Sequence, residues 1–349
     1  MGDERAARIA ATTSEDDKYA LIQALRPPFS DELLAVLADA LADERRVLIS
    51  PGWYDDRDSV SNAARIALER AGEVIEPFVA AKLGHPEREV VGRALRLLGR
   101  LPSLAPATLD AILRHAGDRE LGFVVGETLR GKLDARPLLD FPETRLAGLV
   151  ATPDLEPALL TVLLGDADAE VRLRTLHKIV DRVPPLHELV PVILPLLVDP
   201  DPIVSACAVR TLAPLRPDDT SVTAAMFEAS RRHHDVFDAL AKRPAAHLVP
   251  YVPELMDRMH RERAAAIVIA ALGSTAPTSV ALALGQELLR GEAYAYLSLI
   301  DVLDKLGMAA LPACSLVERA SRELDNPDAR VAAAQLAERL RALASWRRS

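Results

Sequence analysis

Two stretches that lie 33 residues apart follow nearly the same pattern: GDADAEVRLRTLHKIVDRV (residues 165–183) and VDPDPIVSACAVRTLAPL (residues 198–215). Each begins with aspartates in a short turn and continues with apolar residues at the 3.6-residue spacing of a helix. In the first stretch Val171, Leu176 and Ile179 share one side of that helix. Repetition of one phrase at a fixed distance is typical of proteins built from stacked repeats.

The same reading extends along most of the chain as pairs of helices. The first helix of a pair is very apolar and often contains proline, an acidic or proline-containing turn follows, and the second helix carries more arginine. A shortened pair lies near 135–151. The full pairs are predicted at 31–72, 74–101, 104–132, 154–183, 186–215, 218–243, 247–273, 276–307 and 309–344. Because alternating apolar runs and Asn-Gly or Asp-Gly hairpin signals are missing, we expect no β-sheet.

This unit resembles the HEAT repeat, which has a proline in its first helix, an aspartate-rich turn and Val-Arg at the start of its second helix. Pro191, Asp199 and Val204 keep that spacing, and the Val-Arg pair is intact at residues 171–172. The resemblance covers most of the chain from about residue 31. It implies an all-α fold, a right-handed α-solenoid of about nine or ten stacked antiparallel helix pairs, and it leaves the function open.

The predicted organisation is a capping segment at 1–30 followed by a HEAT-like solenoid at 31–349. The cap is expected because the end of a solenoid must cover its last apolar face. One loop insertion at 44–58 is longer than the other turns, and the eroded repeat at 135–151 interrupts the regular array. Insertions of this kind often map to a binding edge.

Composition restricts the partners and the compartment. The chain has 42 Lys and Arg against 51 Asp and Glu, a formal charge of −9, which disfavours non-specific binding to nucleic acid or to an anionic membrane. Cys207 and Cys314 lie in apolar stretches predicted to be helical, and neither belongs to a metal-binding or disulfide pattern. No signal peptide or membrane-spanning run is visible, so a cytoplasmic protein is expected.

Enzymatic motifs are incomplete. The stretch GETLRGKL (126–133) approaches a phosphate-binding loop, but Leu133 replaces the hydroxyl residue and no strand precedes it. His234 and Asp238 are one helical turn apart, yet two ligands do not make a metal site. We therefore expect no cofactor, no metal and no catalytic residue, and a binding protein rather than an enzyme.

The charge pattern indicates a candidate binding surface on the second helices. Six predicted first helices, from 31–43 to 276–289, contain no Lys or Arg, and each carries acid. In the HEAT family the second helices line the concave side, so the resemblance implies a basic inner stripe. The candidate partner-binding cations on this stripe are Arg93, Arg96, Arg100, Arg174, Lys178 and Arg210. The alternative is that these arginines form Asp–Arg pairs between adjacent repeats or ordinary solvated faces.

Trp53 and Tyr54 in the 44–58 insertion are the second candidate. Large aromatic side chains on a loop can be binding hot spots. Alternatively, these two fold back onto the first helix pair, since an exposed Trp is disfavoured on a soluble protein. The sequence favours the second of these arrangements.

Three functions fit these observations. The first is a non-enzymatic scaffold that binds an acidic protein or peptide along the second helices. The second is nucleic-acid binding or DNA repair, because the chain resembles the HEAT-like alkylpurine DNA glycosylases in architecture. The third is a lyase or chaperone-like role, as in the HEAT proteins of phycobilin attachment, and rests on fold analogy. Charge and the scarcity of aromatic residues favour the first.

Overall fold

The computed structural model describes residues 2–51, 55–182, 185–216, 218–233, 236–259, 263–290 and 296–346. The chain divides into two compact units, Met1–Glu156 and Pro157–Ser349. Each unit has its own paired helices and core. The single solenoid domain predicted for 31–349, with its cap at 1–30, stays a prediction.

The first unit contains nine helices and one β-hairpin within the described residues. Its 3₁₀ turns are Ala40–Ala42, Gly72–Ile75, Ala81–Gly84 and Arg136–Asp140. The helices are α1 (Glu4–Ala11), α2 (Glu15–Gln23), α3 (Asp31–Asp39), α4 (Val60–Ala71), α5 (Glu76–Ala80), α6 (Arg88–Gly99), α7 (Pro106–Leu113), α8 (Gly122–Leu129) and α9 (Arg145–Ala151). The strands are β1 (Arg46–Pro51) and β2 (Asp55–Ser59).

The helices of the first unit pack in two rows. The odd-numbered helices α1, α3, α5 and α7 contact one another in order, and so do α2, α4, α6, α8 and α9. The 3₁₀ turn Arg136–Asp140 packs on α9 as the shortened pair predicted near 135–151. Buried Leu37, Leu68 and Leu95 belong to one continuous apolar core in this unit.

The second unit continues the same arrangement. Its 3₁₀ turns are His187–Leu189, Leu194–Val198, Val249–Tyr251, Gly273–Thr275 and Gly307–Ala313. The helices are α10 (Pro157–Leu164), α11 (Ala169–Val180), α12 (Val190–Ile193), α13 (Pro202–Leu212), α14 (Thr220–Ala229), α15 (Val236–Leu240), α16 (Ala245–Leu248), α17 (Val252–Met259), α18 (Arg263–Ala271), α19 (Thr278–Arg290), α20 (Tyr296–Leu306), α21 (Cys314–Glu323) and α22 (Pro327–Trp346).

In this unit α11, α13, α15, α18, α20 and α22 contact one another in order and form the row of second helices. The first helices α10, α12, α14 and α16 form the other row, followed by α19 and α21. Contacts run between neighbouring pairs, as in a solenoid. The predicted all-α solenoid of stacked helix pairs is therefore confirmed. No described helix is long and apolar enough to cross a membrane.

The repeated aspartates cap the second helices. Asp168 Oδ1 accepts a hydrogen bond from the backbone N–H of Glu170 at 3.0 Å. Asp201 Oδ1 accepts from Ile203 N–H at 2.8 Å, at the equivalent place 33 residues later. A carboxylate at this position satisfies free N–H groups and interacts favourably with the helix dipole. The repeated aspartates thus mark where α11 and α13 begin.

The described residues of the 44–58 insertion include two paired strands, β1 and most of β2, where the sequence predicts a loop and no sheet. Strand β1 pairs antiparallel with β2 from Arg46 opposite Ser59 to Pro51 opposite Asp55. The sequence of β2, DDRDS, is polar throughout, so its pattern gives no strand signal; backbone pairing with β1 holds it instead. Trp53 and Tyr54 lie outside the described residues, and their predicted role stays a prediction.

Candidate partner-binding site

A basic cleft of the second unit lies between α13 and α15, on the row of second helices. It has a volume of about 1110 Å³. Its charged and polar lining consists of Arg210 on α13, Arg232 and His233 before α15, Asp238 on α15, and Lys242 after it. Arg210 was predicted as a binding residue, and the structure places four further titratable groups beside it.

The cations of this cleft have no described counter-ion. Arg210, Arg232 and Lys242 are exposed, and none of them forms an ion pair with a described side chain. By contrast, the neighbouring Arg231 is paired with Glu228 at 2.6 Å and Glu254 at 2.9 Å, outside the cleft lining. A described lining of three cations and one carboxylate attracts an anionic partner.

Apolar residues make up the rest of the cleft lining. Ile203 is 60% exposed, although it stands in a helix whose other face is fully packed. Pro202, Ala206, Ala213 and Pro214 complete this apolar side. The cleft therefore offers an apolar surface next to unpaired cations, which suits a segment with both acidic and apolar side chains.

Arg174 and Lys178 lie on α11, the preceding second helix. Arg174 Nε donates to Glu170 Oε1 at 2.7 Å, four residues earlier on the same helix, and Lys178 also has an interaction partner. Half-buried His177 lies in the fields of Arg174 and Arg210, and burial together with these two cations lowers its pKa. His177 therefore adds no positive charge to this surface at neutral pH.

Arg172 on α11 is buried, and its role differs from that of Arg174 and Lys178 on the same helix. Its guanidinium binds Asp199 through Nε at 2.8 Å and Nη2 at 2.7 Å, and Nη1 donates to the carbonyl oxygen of Asp166 at 2.8 Å. The carboxylate raises the pKa of Arg172. This is the Asp–Arg pairing between adjacent repeats that the resemblance implies for the Val-Arg position.

In the first unit, Arg93, Arg96 and Arg100 line a second, smaller cleft between α4 and α6, of about 300 Å³. Arg93 donates to the carbonyl oxygen of Leu41 at 2.7 Å and pairs with Glu44, so it fastens α6 to the preceding repeat. Arg100 pairs with Glu69 at 2.5 Å. Arg96 is exposed, and no described side chain pairs with it.

Sequence reasoning missed Arg65, Arg232 and Lys242. Arg65 lies on α4, across the smaller cleft from Arg96. The available signal was the concentration of cations in the second helices and their ends, which applies to these three as well. The structure brings Arg93, Arg96 and Arg100 together in the first unit, and places Arg174 and Arg210 about His177 in the second. The binding role of all eight predicted residues stays a prediction.

Within the described residues, no group of three or more His, Cys, Asp or Glu side chains could hold a metal ion. His234, one of the two residues considered as ligands, lies outside the described residues. The near-match to a phosphate-binding loop has a helical geometry instead. Gly126 lies inside α8, and Gly131 follows the end of α8 with φ of +73°. A glycine in that conformation is typical of a helix end.

Comparisons with known proteins give no match among protein-family models and none among curated proteins. Among solved structures the chain is similar to an engineered protein from a structural genomics consortium, with 16% identity, 98% of this chain and 99% of that chain covered, and a TM-score of 0.39. It is also similar to Kap95p from a structure with RanGDP, with 13% identity, 96% of this chain and 57% of that chain covered, and a TM-score of 0.40. A designed armadillo repeat protein is similar with 17% identity, 92% of this chain and 99% of that chain covered, and a TM-score of 0.18. The helix pairing described above, rather than these scores, establishes the architecture.

Proposed function

We propose that this chain is a non-enzymatic, cytoplasmic binding scaffold whose second helices engage an acidic protein or peptide. The observation that supports the proposal best is the cleft between α13 and α15, where Arg210, Arg232 and Lys242 have no described ion-pair partner. Surface cations of a folded protein commonly lie near carboxylates of the same chain. Here three stand around a concave, partly apolar surface, which is where a partner's carboxylates would be held.

The partner's chemistry follows from the two sides of this cleft. Acidic side chains would meet the three cations, and an apolar side chain between them would cover Ile203, which is 60% exposed. Charge complementarity would speed association, while burial of the apolar contact would slow dissociation. A peptide with alternating acidic and apolar residues meets both requirements.

The net charge of −9 argues against a nucleic-acid backbone as the main partner. A phosphate backbone binds best to a continuous basic surface. In this chain the cations of α6 and α11 are partly neutralised by Glu44, Glu89 and Glu170. A local basic cleft within an acidic protein is better suited to a short acidic segment.

The test compares two triple variants in an affinity capture from native lysate, each with and without nuclease. The first reverses the cleft charges: Arg210→Glu, Arg232→Glu and Lys242→Glu. The matched control reverses three exposed cations of the first unit that have no described ion-pair partner: Arg70→Glu, Arg114→Glu and Arg119→Glu. Both variants have the same net charge, so a general charge effect changes both equally. Circular dichroism and thermal unfolding establish that each variant is folded.

We expect one protein partner to bind wild type and the control, to survive nuclease, and to be lost from the cleft variant. Its binding to wild type should weaken as salt is raised. Retention of every partner by the folded cleft variant would contradict the proposal. Loss of every partner after nuclease treatment would favour nucleic-acid binding instead.

A further inference from the structure

The smaller cleft between α4 and α6 has an arrangement that the scaffold function does not use. Its described lining contains four arginines and one carboxylate: Arg65, Arg93, Arg96, Arg100 and Glu69. Three neutral polar residues, Ser59, Ser61 and Asn62, lie at its end near the start of α4. With a volume of about 300 Å³ it matches a small polar group rather than a length of peptide.

The positive charge of this cleft exceeds its described negative charge. Glu69 is shared, because it pairs with Arg65 and, at 2.5 Å, with Arg100. Arg93 is neutralised separately by Glu44 and Glu89. Arg96 adds a cation without a described partner. Within the cleft lining, the guanidinium groups of Arg65, Arg96 and Arg100 therefore face one carboxylate, Glu69, while the two carboxylates that pair with Arg93 lie outside the lining.

One guanidinium group of the cleft, that of Arg65, is held in place by hydrogen bonds within the fold. Arg65 Nε donates to Asn62 Oδ1 at 2.9 Å and its Nη2 donates to the same oxygen at 2.6 Å. A group fixed in this way loses little conformational freedom on binding, which favours affinity. Arg96 on α6 and Arg100 at its C-cap are exposed and one helical turn apart, so their side chains leave the same face.

Hydroxyl groups add neutral hydrogen-bond donors at the same place. Ser59 Oγ and Ser61 Oγ are 2.9 Å apart, and Ser59 Oγ accepts a hydrogen bond from the N–H of Asn62 at 3.1 Å. Either hydroxyl can be the donor of this pair, which places two hydroxyl groups at the end of the cleft near the start of α4. A ligand with several acceptor oxygens suits this mixture of guanidinium and hydroxyl donors.

We propose that the cleft between α4 and α6 binds a phosphate monoester dianion, carried either by a small phosphorylated molecule or by a phosphorylated side chain of a partner. A phosphate monoester has a charge of about −1.5 to −2 at pH 7 and three acceptor oxygens. That charge matches the excess of guanidinium groups, and arginine binds such oxygens in a bidentate manner. A carboxylate has half the charge and would leave one cation unmatched.

The test measures binding of methyl phosphate, a monoester, to the full chain by isothermal titration calorimetry. Dimethyl phosphate, a diester with a single charge, is the comparison ligand. Arg96→Ala removes the cation without a described partner, and because Arg96 is exposed this variant should stay folded. Arg114→Ala is the matched control, an exposed arginine of the same unit outside the cleft. Glu69→Gln removes the competing carboxylate.

We expect methyl phosphate to bind wild type and Arg114→Ala equally, and Arg96→Ala about tenfold more weakly, the effect of one charge-assisted contact. Glu69→Gln should bind severalfold more tightly, because it releases two guanidinium groups to the ligand. Opposite effects of Arg96→Ala and Glu69→Gln separate a binding site from a purely structural cluster. Absence of binding at millimolar ligand, equal binding of dimethyl phosphate, or an unchanged affinity in Arg96→Ala would overturn the proposal.

A fourth ligand identifies the source of the phosphate. If a phosphoserine peptide binds at least tenfold more tightly than methyl phosphate, the site reads a phosphorylated partner. If the two affinities are equal, a small phosphorylated molecule is the ligand. Both outcomes support a monoester site, and they are independent of the cleft between α13 and α15 because the two sites are in different units.

Discussion

At the scale of the residue, arginine has three distinct environments in this chain. Arg172 forms a bidentate pair with Asp199 between adjacent repeats. Arg243 is 3% exposed and is surrounded by oxygen atoms without a full charge: Thr223 Oγ1 at 3.0 Å and the Asp219 carbonyl oxygen at 2.7 Å. Burial lowers its pKa. Arg210 is exposed beside an apolar surface. Fold stability depends on the first two environments, and binding is proposed for the third.

Arg172→Ala is expected to destabilise the protein by about 3–5 kcal/mol, the range seen when one partner of a buried ion pair is removed. The loss leaves Asp199, whose side chain is 4% exposed, without its counter-ion. Urea unfolding followed by circular dichroism measures the effect. The double variant Arg172→Ala with Asp199→Ala should lose less than the sum of the two single variants. Additive losses would show that the two side chains do not interact.

At the scale of the element, close packing of α8 against α9 depends on a glycine. A Cβ added at Gly126 would lie 2.6 Å from the Ala147 carbonyl oxygen and 2.6 Å from Val150 Cβ. One of these atoms belongs to the backbone, so the helices must move apart to accept a methyl group. This close packing explains the glycine at position 126 without any role in nucleotide binding.

Gly126→Ala is expected to destabilise the protein by about 1–3 kcal/mol, as for other overpacked cores. Gly84→Ala is the matched control, since a Cβ there meets nothing within 4 Å. At that position the change should be neutral or stabilising by up to about 1 kcal/mol. Thermal unfolding of both variants provides the comparison. Equal melting temperatures would contradict the close approach of α8 and α9.

Elements with a local signal were predictable from the sequence, and those that depend on distant partners were not. The helix pairs follow from apolar spacing and from aspartates such as Asp168 and Asp201, which cap helices within a few residues of themselves. The hairpin at 46–59 was missed because β2 is polar and is held by pairing with β1. The exposed position of Arg96 was predictable from its place on the helix. The pairing of Arg93 with Glu44 was not, because Glu44 is 49 residues away in the sequence.

At the scale of the whole molecule, the chain consists of two units that each contain complete helix pairs. The core of the first unit runs continuously from Ala6 to Ala151. Because each pair in such an array depends mainly on its neighbours, its stability is local in origin.

Fragments 1–156 and 157–349, expressed separately, are expected to show helical circular dichroism and cooperative thermal unfolding. The first fragment should also keep the proposed phosphate site, because all the described lining residues of that cleft lie within it. Calorimetry with methyl phosphate tests this point on the fragment once it is shown to be folded. An unfolded first fragment would contradict the division at residue 156.

The two rows of helices differ in how often proline interrupts them. Several first helices are broken into short α and 3₁₀ pieces at prolines such as Pro191, Pro195 and Pro250, whereas second helices such as α11 and α13 are uninterrupted. A proline contributes no backbone N–H, so the first row has fewer amide hydrogen bonds to break. We expect the backbone amides of these interrupted first helices to exchange with solvent faster than those of α11 and α13. Helix α13, which contributes Arg210 to the larger cleft, is therefore expected to keep its backbone hydrogen bonds longer than the first helices that proline interrupts.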